Sequence, residues 1–254
     1  MVVYDAVMIG ATFLSFGIAK AHTGNTLIID PKGKPGYEFI DAFHNGSNYD
    51  QMPETQEGKN FRAHIESCGV CENIFVPEWT GYFSNWICQN QISVLLFTSI
   101  LSVEQEHDYL KVTIFNTNGK SVIYTKKVID TTTDSYCRKA LNAIMFGPCP
   151  KAFSPTMDVT PHNEQYSLVS FAMPLDCTMA QAKHILYTTW ENRPEDYQDT
   201  AIAATADRFA LKAYTAFRKT AENQYAAASD FYDNPFLAFD QGCVIGGELC
   251  NGVY

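Results

Sequence analysis

The chain has no cluster of basic residues longer than Lys126-Lys127. Eighteen Lys and Arg stand against 28 Asp and Glu, for a formal net charge of −10. The positive footprint of a nucleic-acid binder is therefore missing, and no nucleic-acid partner is expected. A net charge of this size favours solubility but identifies no partner. No apolar run reaches the ~18 residues of a membrane span, so no membrane association is expected. The start, Met-Val-Val-Tyr-Asp, has no basic n-region, and a signal peptide is not expected. The apolar stretch 7–21 is broken by Gly10, Thr12, Ser15, Gly17 and Lys20. It reads as strand, turn and helix. A cytoplasmic location follows as an expectation, and with it reduced thiols for the eight cysteines. Cys68 and Cys71 have CxxC spacing, but no second such pair exists to complete a zinc site. They read as free thiols with no metal. The six histidines form no HxH or HExxH pair, and no G-x-S-x-G nucleophile elbow is present.

What the chain does have is apolar and aromatic material: 254 residues, 46% hydrophobic and 13% aromatic, with 17 Phe and 14 Tyr. That suffices for one sizeable core, or for a large domain with a small appendage. Tyr4 to Ile9 predicts a buried strand ended by Gly10. Phe13, Leu14, Gly17, Ile18 and Ala21 then recur at helical spacing, and Thr26 to Ile29 is a second apolar run closed by Asp30. Together they form a βαβ unit in about thirty residues. Residues 36–60 read as an irregular surface segment. A helix is expected over 78–90, with Trp79, Phe83, Trp86 and Ile87 on one face. Ser93 to Ile100 reads as an apolar strand. A three-stranded meander follows between 101 and 129, with Asn118-Gly119 as a hairpin turn. Further along, the pattern predicts a short helix around Cys137 to Met145, a strand over Gln165 to Met173, a helix over Thr178 to Trp190, and a long Ala-rich helix over Thr200 to Ala228.

The first βαβ unit is where a Gly-rich phosphate loop would sit. In G-x-G-x-x-G the first glycine makes the tight turn, the second lets the backbone approach a pyrophosphate, and the third lets helix and strand pack closely. Here the six positions are Gly10-Ala11-Thr12-Phe13-Leu14-Ser15, and only the first glycine is kept. Asp30 ends the second strand, where an acid would accept hydrogen bonds from a ribose. Gly10 as a plain turn residue explains the same fragment.

The segments 4–11 and 26–30, then Leu95 to Ile100, the meander and Lys127 to Asp134, and finally Asn234 to Gly242, occur in the order found in FAD-dependent oxidoreductases. Together they resemble the glutathione-reductase-like class with its two-dinucleotide-binding fold. The resemblance implies an α/β fold: a Rossmann-like FAD/NAD(P)-binding domain with a central parallel sheet, a three-stranded meander and a small substrate-side subdomain. It places the binding domain at 1–150 and 228–254, and a reduced substrate subdomain at 151–227. It implies FAD as cofactor, held by Gly10, Ala11, Thr12, Phe13, Ser15 and Asp30, by Ile100 near the adenine, by Thr131 and Thr133 after the meander, and by Asp240 and Gly242 at the last segment. His44 and Tyr49 become candidates on the side of a small-molecule substrate, with ordinary loop residues as the plainer account. The implied function is an FAD-dependent oxidoreductase of unknown substrate, with flavin as hydride carrier. A cofactor-free family member, acting as a partner or structural subunit, remains the alternative, and a nicotinamide-binding protein a third. Either a homo-oligomer or a heteromeric subunit is compatible with the sequence. Thr12, Ser15 and Thr133 replace glycines of the family pattern. A Cβ at the close-approach position can clash with a pyrophosphate oxygen, while the Thr12 hydroxyl could donate to it.

Overall fold

A computed structural model describes residues 2–69, 75–147, 149 and 151–252. The expected βαβ unit is present as β1 (Val3–Ile9), α1 (Phe13–Ala21) and β2 (Thr26–Ile29). Two helices follow, α2 (Gln56–Ser67) and α3 (Thr80–Gln89), then the short strand β3 (Val94–Leu95). The meander is β4 (Ser99–Glu106), β5 (Tyr109–Asn116) and β6 (Gly119–Asp130). A second antiparallel unit holds β7 (Tyr136–Phe146), β8 (Met157–Pro161), β9 (Tyr166–Ala172), α4 (Met179–Glu191), β10 (Ala201–Thr205) and β11 (Ala210–Ala213). The chain closes with β12 (Phe217–Ala221), β13 (Gln224–Ala227) and α5 (Pro235–Cys250).

The first sheet has the order β12-β13-β6-β1-β2-β3, and all neighbours from β13 to β3 are parallel. Both of its faces are covered, which is why β1 and β2 read as unbroken apolar runs. Side chains alternate across a strand. Ala6, Met8 and Ile28 therefore face the helices, while Val7, Leu27 and Ile29 face the meander residues Leu110, Val112 and Ile114. The helical side is aromatic: Phe13, Phe16, Phe61, Trp79, Phe83, Trp86, Phe236 and Phe239 share one core. Phe13 stacks on Phe83 at 4.2 Å, and Phe61 on Phe239 at 4.3 Å. The second sheet, β10-β7-β9-β8 with β11 also on β7, packs Leu141, Ala143, Met145, Val169 and Phe171 against Ala182, Leu186 and Trp190 of α4. Among the described residues no helix is long and apolar enough to cross a membrane.

Four expectations fail for identifiable reasons. The helix expected at Cys137 to Met145 is strand β7, in which Lys139, Leu141, Ala143 and Met145 are buried at a period of two. Good helix formers lose here to pairing with β9, β10 and β11. The long helix expected over 200–228 is four strands, β10 to β13. Its alanines line sheets, and Asn223 turns the β12–β13 hairpin with a positive φ of 57°. The irregular reading of 36–60 misses the start of α2, capped by Thr55, whose side chain accepts from the Gly58 amide. The apolar run 93–100 is not one strand either: Phe97, at φ 52°, breaks it between β3 and β4. β7, inside 1–150, belongs to the second sheet, and β12 and β13, inside 151–227, belong to the first.

The βαβ unit is clamped from behind by α5. A Cβ at Gly17 would overlap the Phe239 carbonyl oxygen, and one at Gly242 would overlap that of Leu14. These two glycines let α1 and α5 touch backbone to backbone. Gly17→Ala should lower the unfolding free energy by about 1–3 kcal/mol through overpacking, measured by urea denaturation. An unshifted midpoint would mean that the helices do not meet at this point.

Candidate functional site

The carboxyl ends of β1, β2 and β6 open onto one crevice, the place where open α/β sheets bind ligands. Gly10 makes the turn after β1 with φ 99°, a conformation costly for other residues. Its surroundings are already tight, because a Cβ there would lie 2.9 Å from Thr131 Oγ1 and 3.3 Å from the Tyr37 hydroxyl. Asp30 reaches the same turn. Its Oδ2 accepts from the Ala11 amide at 2.7 Å, and its Oδ1 accepts from the Lys32 amide. Gly10, Ala11 and Asp30 thus face one crevice as expected, but Asp30 is fully buried and both its oxygens are taken by the chain itself.

The helix N-terminus is likewise engaged. Thr12 is the N-cap of α1, and its side chain accepts from the Ser15 amide at 3.2 Å. The Ser15 hydroxyl accepts from the Thr12 amide at 3.1 Å, which completes a capping box. The Thr12 hydroxyl itself donates to Thr131 Oγ1 at 2.8 Å, so it points along the loop toward β6. Thr131 is buried between the carbonyls of Ile9 and Gly10. The Phe13 amide, the donor a phosphate would take at the start of a helix, donates instead to Glu38 Oε1 at 2.8 Å. The Phe13 side chain is in the aromatic core.

Glu38 comes from the helical turns over 36–43, which fold back across the loop. Gly36 donates its amide to the Ala11 carbonyl at 2.7 Å with φ 69°, and a Cβ there would press on the Phe13 ring. Glu38 is 4% exposed. Its Oε1 also accepts from the Ser229 hydroxyl at 2.8 Å, and its Oε2 has no partner. Asp230 stands beside Ser229, is 6% exposed, and accepts from the Thr133 hydroxyl through Oδ2 while Oδ1 has no partner. Burial pushes Glu38 from 4.5 up to about 8, with the charge of Asp230 adding to it. Burial likewise pushes Asp230 up to about 7, against the Thr133 hydrogen bond and Arg208. The Arg208 guanidinium lies over the Tyr37 ring at 3.9 Å. These residues enclose a cavity of about 150 Å³, smaller than the ~300 Å³ at which ligand pockets begin.

A second cavity of about 540 Å³ lies between the second sheet and the segments at 44–47 and 232–233. Leu211 lines both cavities. His44 lines the larger one, stacked on Phe39 at 5.1 Å. Burial, with Lys212 nearby, pulls its pKa down to about 4, so it is neutral at pH 7. Its Nδ1 is buried without a partner. Lys212 pairs with Asp233 at 2.7 Å on the same wall. Lys139 Nζ donates to the carbonyls of Leu175 and Cys177, and Arg138 stands exposed at the rim.

The structure brings Gly10, Ala11, Thr12, Phe13, Ser15, Asp30, Thr131 and Thr133 around one crevice and puts His44 in the adjoining cavity. It places the others elsewhere. Ile100 packs in the meander core. Asp240 accepts from the Glu54 and Thr55 amides at 2.8 and 2.9 Å, at the start of α2. Gly242 lies against α1. Tyr49 packs edge-on to Phe236 at 6.0 Å, with its hydroxyl donating to the Asn45 carbonyl. Cys68 is a free thiol whose Sγ lies 3.3 Å from the His64 carbonyl, and Cys71 lies outside the described residues. Glu38, Asp230, Ser229 and Arg208 are the site residues that sequence reasoning missed. A lone acid inside the apolar run Tyr37-Glu38-Phe39-Ile40 was the available signal for Glu38. Asp230 was obscured by the helix expected over 200–228.

As arranged here, the N-terminus of α1 does not fit a dinucleotide pyrophosphate. The amides of Gly10, Ala11, Thr12, Phe13 and Ser15 all have partners within the chain. The Phe13 amide is held by the buried Glu38 carboxyl.

Glu38 and Asp230 also set a pH dependence. An acid whose folded pKa is raised stabilises the fold fully below its unfolded value and loses that contribution as pH rises toward the folded one. Between pH 4.5 and about 8 the wild type should therefore lose stability relative to Glu38→Gln, on the order of 5 kcal/mol in total. Thermal unfolding of both proteins across this range measures it, and parallel profiles would refute it.

No protein-family model matches the chain, and no curated protein matches it in sequence. Solved structures match it in fold. A p-nitrophenol 4-monooxygenase from Pseudomonas putida DLL-E4 superposes with a TM-score of 0.59 at 12% identity, over 100% of this chain and 80% of its own. An anhydrotetracycline hydroxylase from Streptomyces rimosus gives 0.65 at 13%, over 99% and 63%. A flavin-dependent brominase, Bmp2, gives 0.65 at 9%, over 99% and 80%. The likeness is to hydroxylating and halogenating enzymes and is not specific to the glutathione-reductase-like class. Parallel sheet, meander and second antiparallel sheet together make this an α/β chain with a Rossmann-like fold shared with these structures.

Proposed function

We propose that the chain is an FAD-dependent oxidoreductase acting on a small molecule, a short member of the two-dinucleotide-binding flavoproteins. One observation carries this reading. Gly10, Asp30, Thr131 and Asp230 converge at the carboxyl edge of a parallel sheet, and a cavity of about 540 Å³ adjoins that edge through Leu211. The cavity has the size of a ligand pocket. Its wall is mixed: neutral His44, the Lys212–Asp233 pair, Asp158 and the Arg138 guanidinium. Such a wall suits a small polar molecule. His44 would act as a hydrogen-bonding group rather than a cation, because it takes up a proton only near pH 4.

The assignment to the glutathione-reductase-like class rests on the ordered segments 1–30, 92–134 and 230–247. The fold likeness supports the broader group.

Protein purified with FAD supplied throughout should release flavin into the supernatant on denaturation, at near one equivalent by fluorescence. A supernatant without flavin under these conditions would overturn the reading and leave the cofactor-free one.

A further inference from the structure

Three residues in the wall of the cavity of about 150 Å³ each carry a buried polar atom without a partner. Two of the atoms are acceptors, Glu38 Oε2 and Asp230 Oδ1, on residues 4% and 6% exposed. The third is a donor, a guanidinium nitrogen of Arg208. Buried polar groups serving structure alone are nearly always satisfied. The charges on the wall are also unbalanced. Asp30, Glu38 and Asp230 stand against Lys32 and Arg208, so with every group ionised one negative charge is left over. Among the described residues neither Glu38 nor Asp230 takes part in an ion pair. No three acid, histidine or cysteine side chains among them are placed to hold a metal ion either. A cation suited to this wall is one that donates hydrogen bonds. The volume limits its size. A water takes about 30 Å³ of the liquid, so the cavity admits on the order of five non-hydrogen atoms.

We propose that this cavity binds a small organic ammonium ion that also carries a neutral oxygen, a short amino alcohol. Its N–H groups donate to Glu38 Oε2 and Asp230 Oδ1, and its oxygen accepts from the unpaired Arg208 nitrogen. The three leftover atoms are then matched in kind, and one positive charge balances the wall. Hydrogen bonds between charged partners are the strong ones. Exposed Pro31 and Lys32 line the edge of the cavity, where a molecule from solvent would enter. The site goes beyond the FAD reading and does not depend on it. It takes no phosphate, leaves the amides of the α1 turn with their present partners, and needs no movement of the buried segment 36–43.

Binding should follow pH, because the ammonium ion competes with protons for the two carboxylates. The other charged and titratable groups facing them are Asp30 and Lys32 at the end of β2, Tyr37 on the turn of Glu38, and Arg208 and Lys212 from the second sheet. Burial pushes Tyr37 upward, so it keeps its proton throughout. Burial also holds a proton on Asp230 up to about pH 7 and on Glu38 up to about pH 8. Affinity should therefore rise from pH 6 to pH 8, by up to about ten-fold per pH unit for each acid that titrates.

Ethanolammonium chloride should be titrated calorimetrically into the full chain between pH 6 and 8.5 at constant ionic strength. Ethylammonium, ethylene glycol and tetramethylammonium serve as comparisons. Ethanolammonium should bind about ten-fold or more tightly at pH 8 than at pH 6. Ethylammonium, which lacks the oxygen, should bind several-fold more weakly, and the other two should not bind. Glu38→Gln and Asp230→Asn keep the shape of each side chain and remove its charge. Each should weaken ethanolammonium at pH 8 by about ten-fold and flatten the pH profile. Thermal unfolding confirms that each variant is folded, and either one alone suffices for the comparison. Ethylammonium binding as tightly as ethanolammonium would overturn the role of Arg208. Tetramethylammonium binding as tightly as ethanolammonium, or affinities unchanged by both substitutions, would overturn the site. Heat from none of the probes would mean that ordered water alone serves the three atoms, and would overturn it as well. Flavin release on denaturation is measured separately, so none of these results bears on the FAD reading.

Discussion

The hydrogen bond from the Ala11 amide to the buried carboxylate of Asp30 fixes the geometry of the whole crevice. It ties the turn after β1 to the end of β2 across the parallel pair. With the Lys32 amide on its other oxygen, the carboxylate is spanned from both sides. Charge-assisted bonds of this kind are roughly twice as strong as neutral ones, and removing one partner would strand a buried donor. Gly10 must then keep φ 99°, since the chain has to leave β1 and enter α1 within three residues. Thr131 fills the space above it and receives the Thr12 hydroxyl. The acid that the sequence suggested for a ribose is here a structural clamp for the loop.

The residues standing where G-x-G-x-x-G has its second and third glycines serve the same loop. Where a pyrophosphate lies against the loop, the second position needs to be free of a Cβ. Here Thr12 caps the helix and Ser15 closes the capping box, so both hydroxyls serve the helix end. The close approach that a third glycine gives between helix and strand is found instead between helices, at Gly17 and Gly242. The chain keeps the architecture and redistributes the small residues within it.

The legible part of the fold was the part with strong local period. β1, α1, β2, the meander, α3 and α4 all announce themselves by spacing, and their order pointed to the Rossmann-like arrangement. In the second sheet β9 was legible as the strand expected over 165–173, but β7, β10 and β11 were hidden because they are rich in Ala, Lys, Leu and Met, residues that favour helices in isolation. Only pairing on both edges of β7 makes them strands. The same misreading ended just short of Asp230, which sits after β13 in a short 3-10 turn, Ser229–Phe231. Glu38 was hidden for a different reason: a segment rich in Gly, Asn and Pro reads as surface, yet Tyr37, Phe39 and Ile40 are buried. Apolar neighbours on both sides of a single acid signal a carboxylate carried inward.

A buried carboxylate at the start of a helix has two physical readings, and the atoms left over separate them. As a pure cap, Glu38 would be expected to use both oxygens, because a stranded buried oxygen costs on the order of 1–3 kcal/mol. The Asp30 carboxylate meets that standard, with each oxygen taken by an amide. Glu38 does not, nor does Asp230, and Arg208 lies on the Tyr37 ring with one nitrogen unpaired near both acids. Among the described residues Arg208 lines the same cavity as both acids but stacks on the Tyr37 ring and forms no ion pair with either. The arrangement keeps positive and negative groups apart around a small cavity, at a cost in stability that simple pairing would remove. Proteins retain such costs at functional sites. The crevice is thus a small cavity walled by three acids, of which Asp30 has both oxygens taken while Glu38 and Asp230 each keep one without a partner.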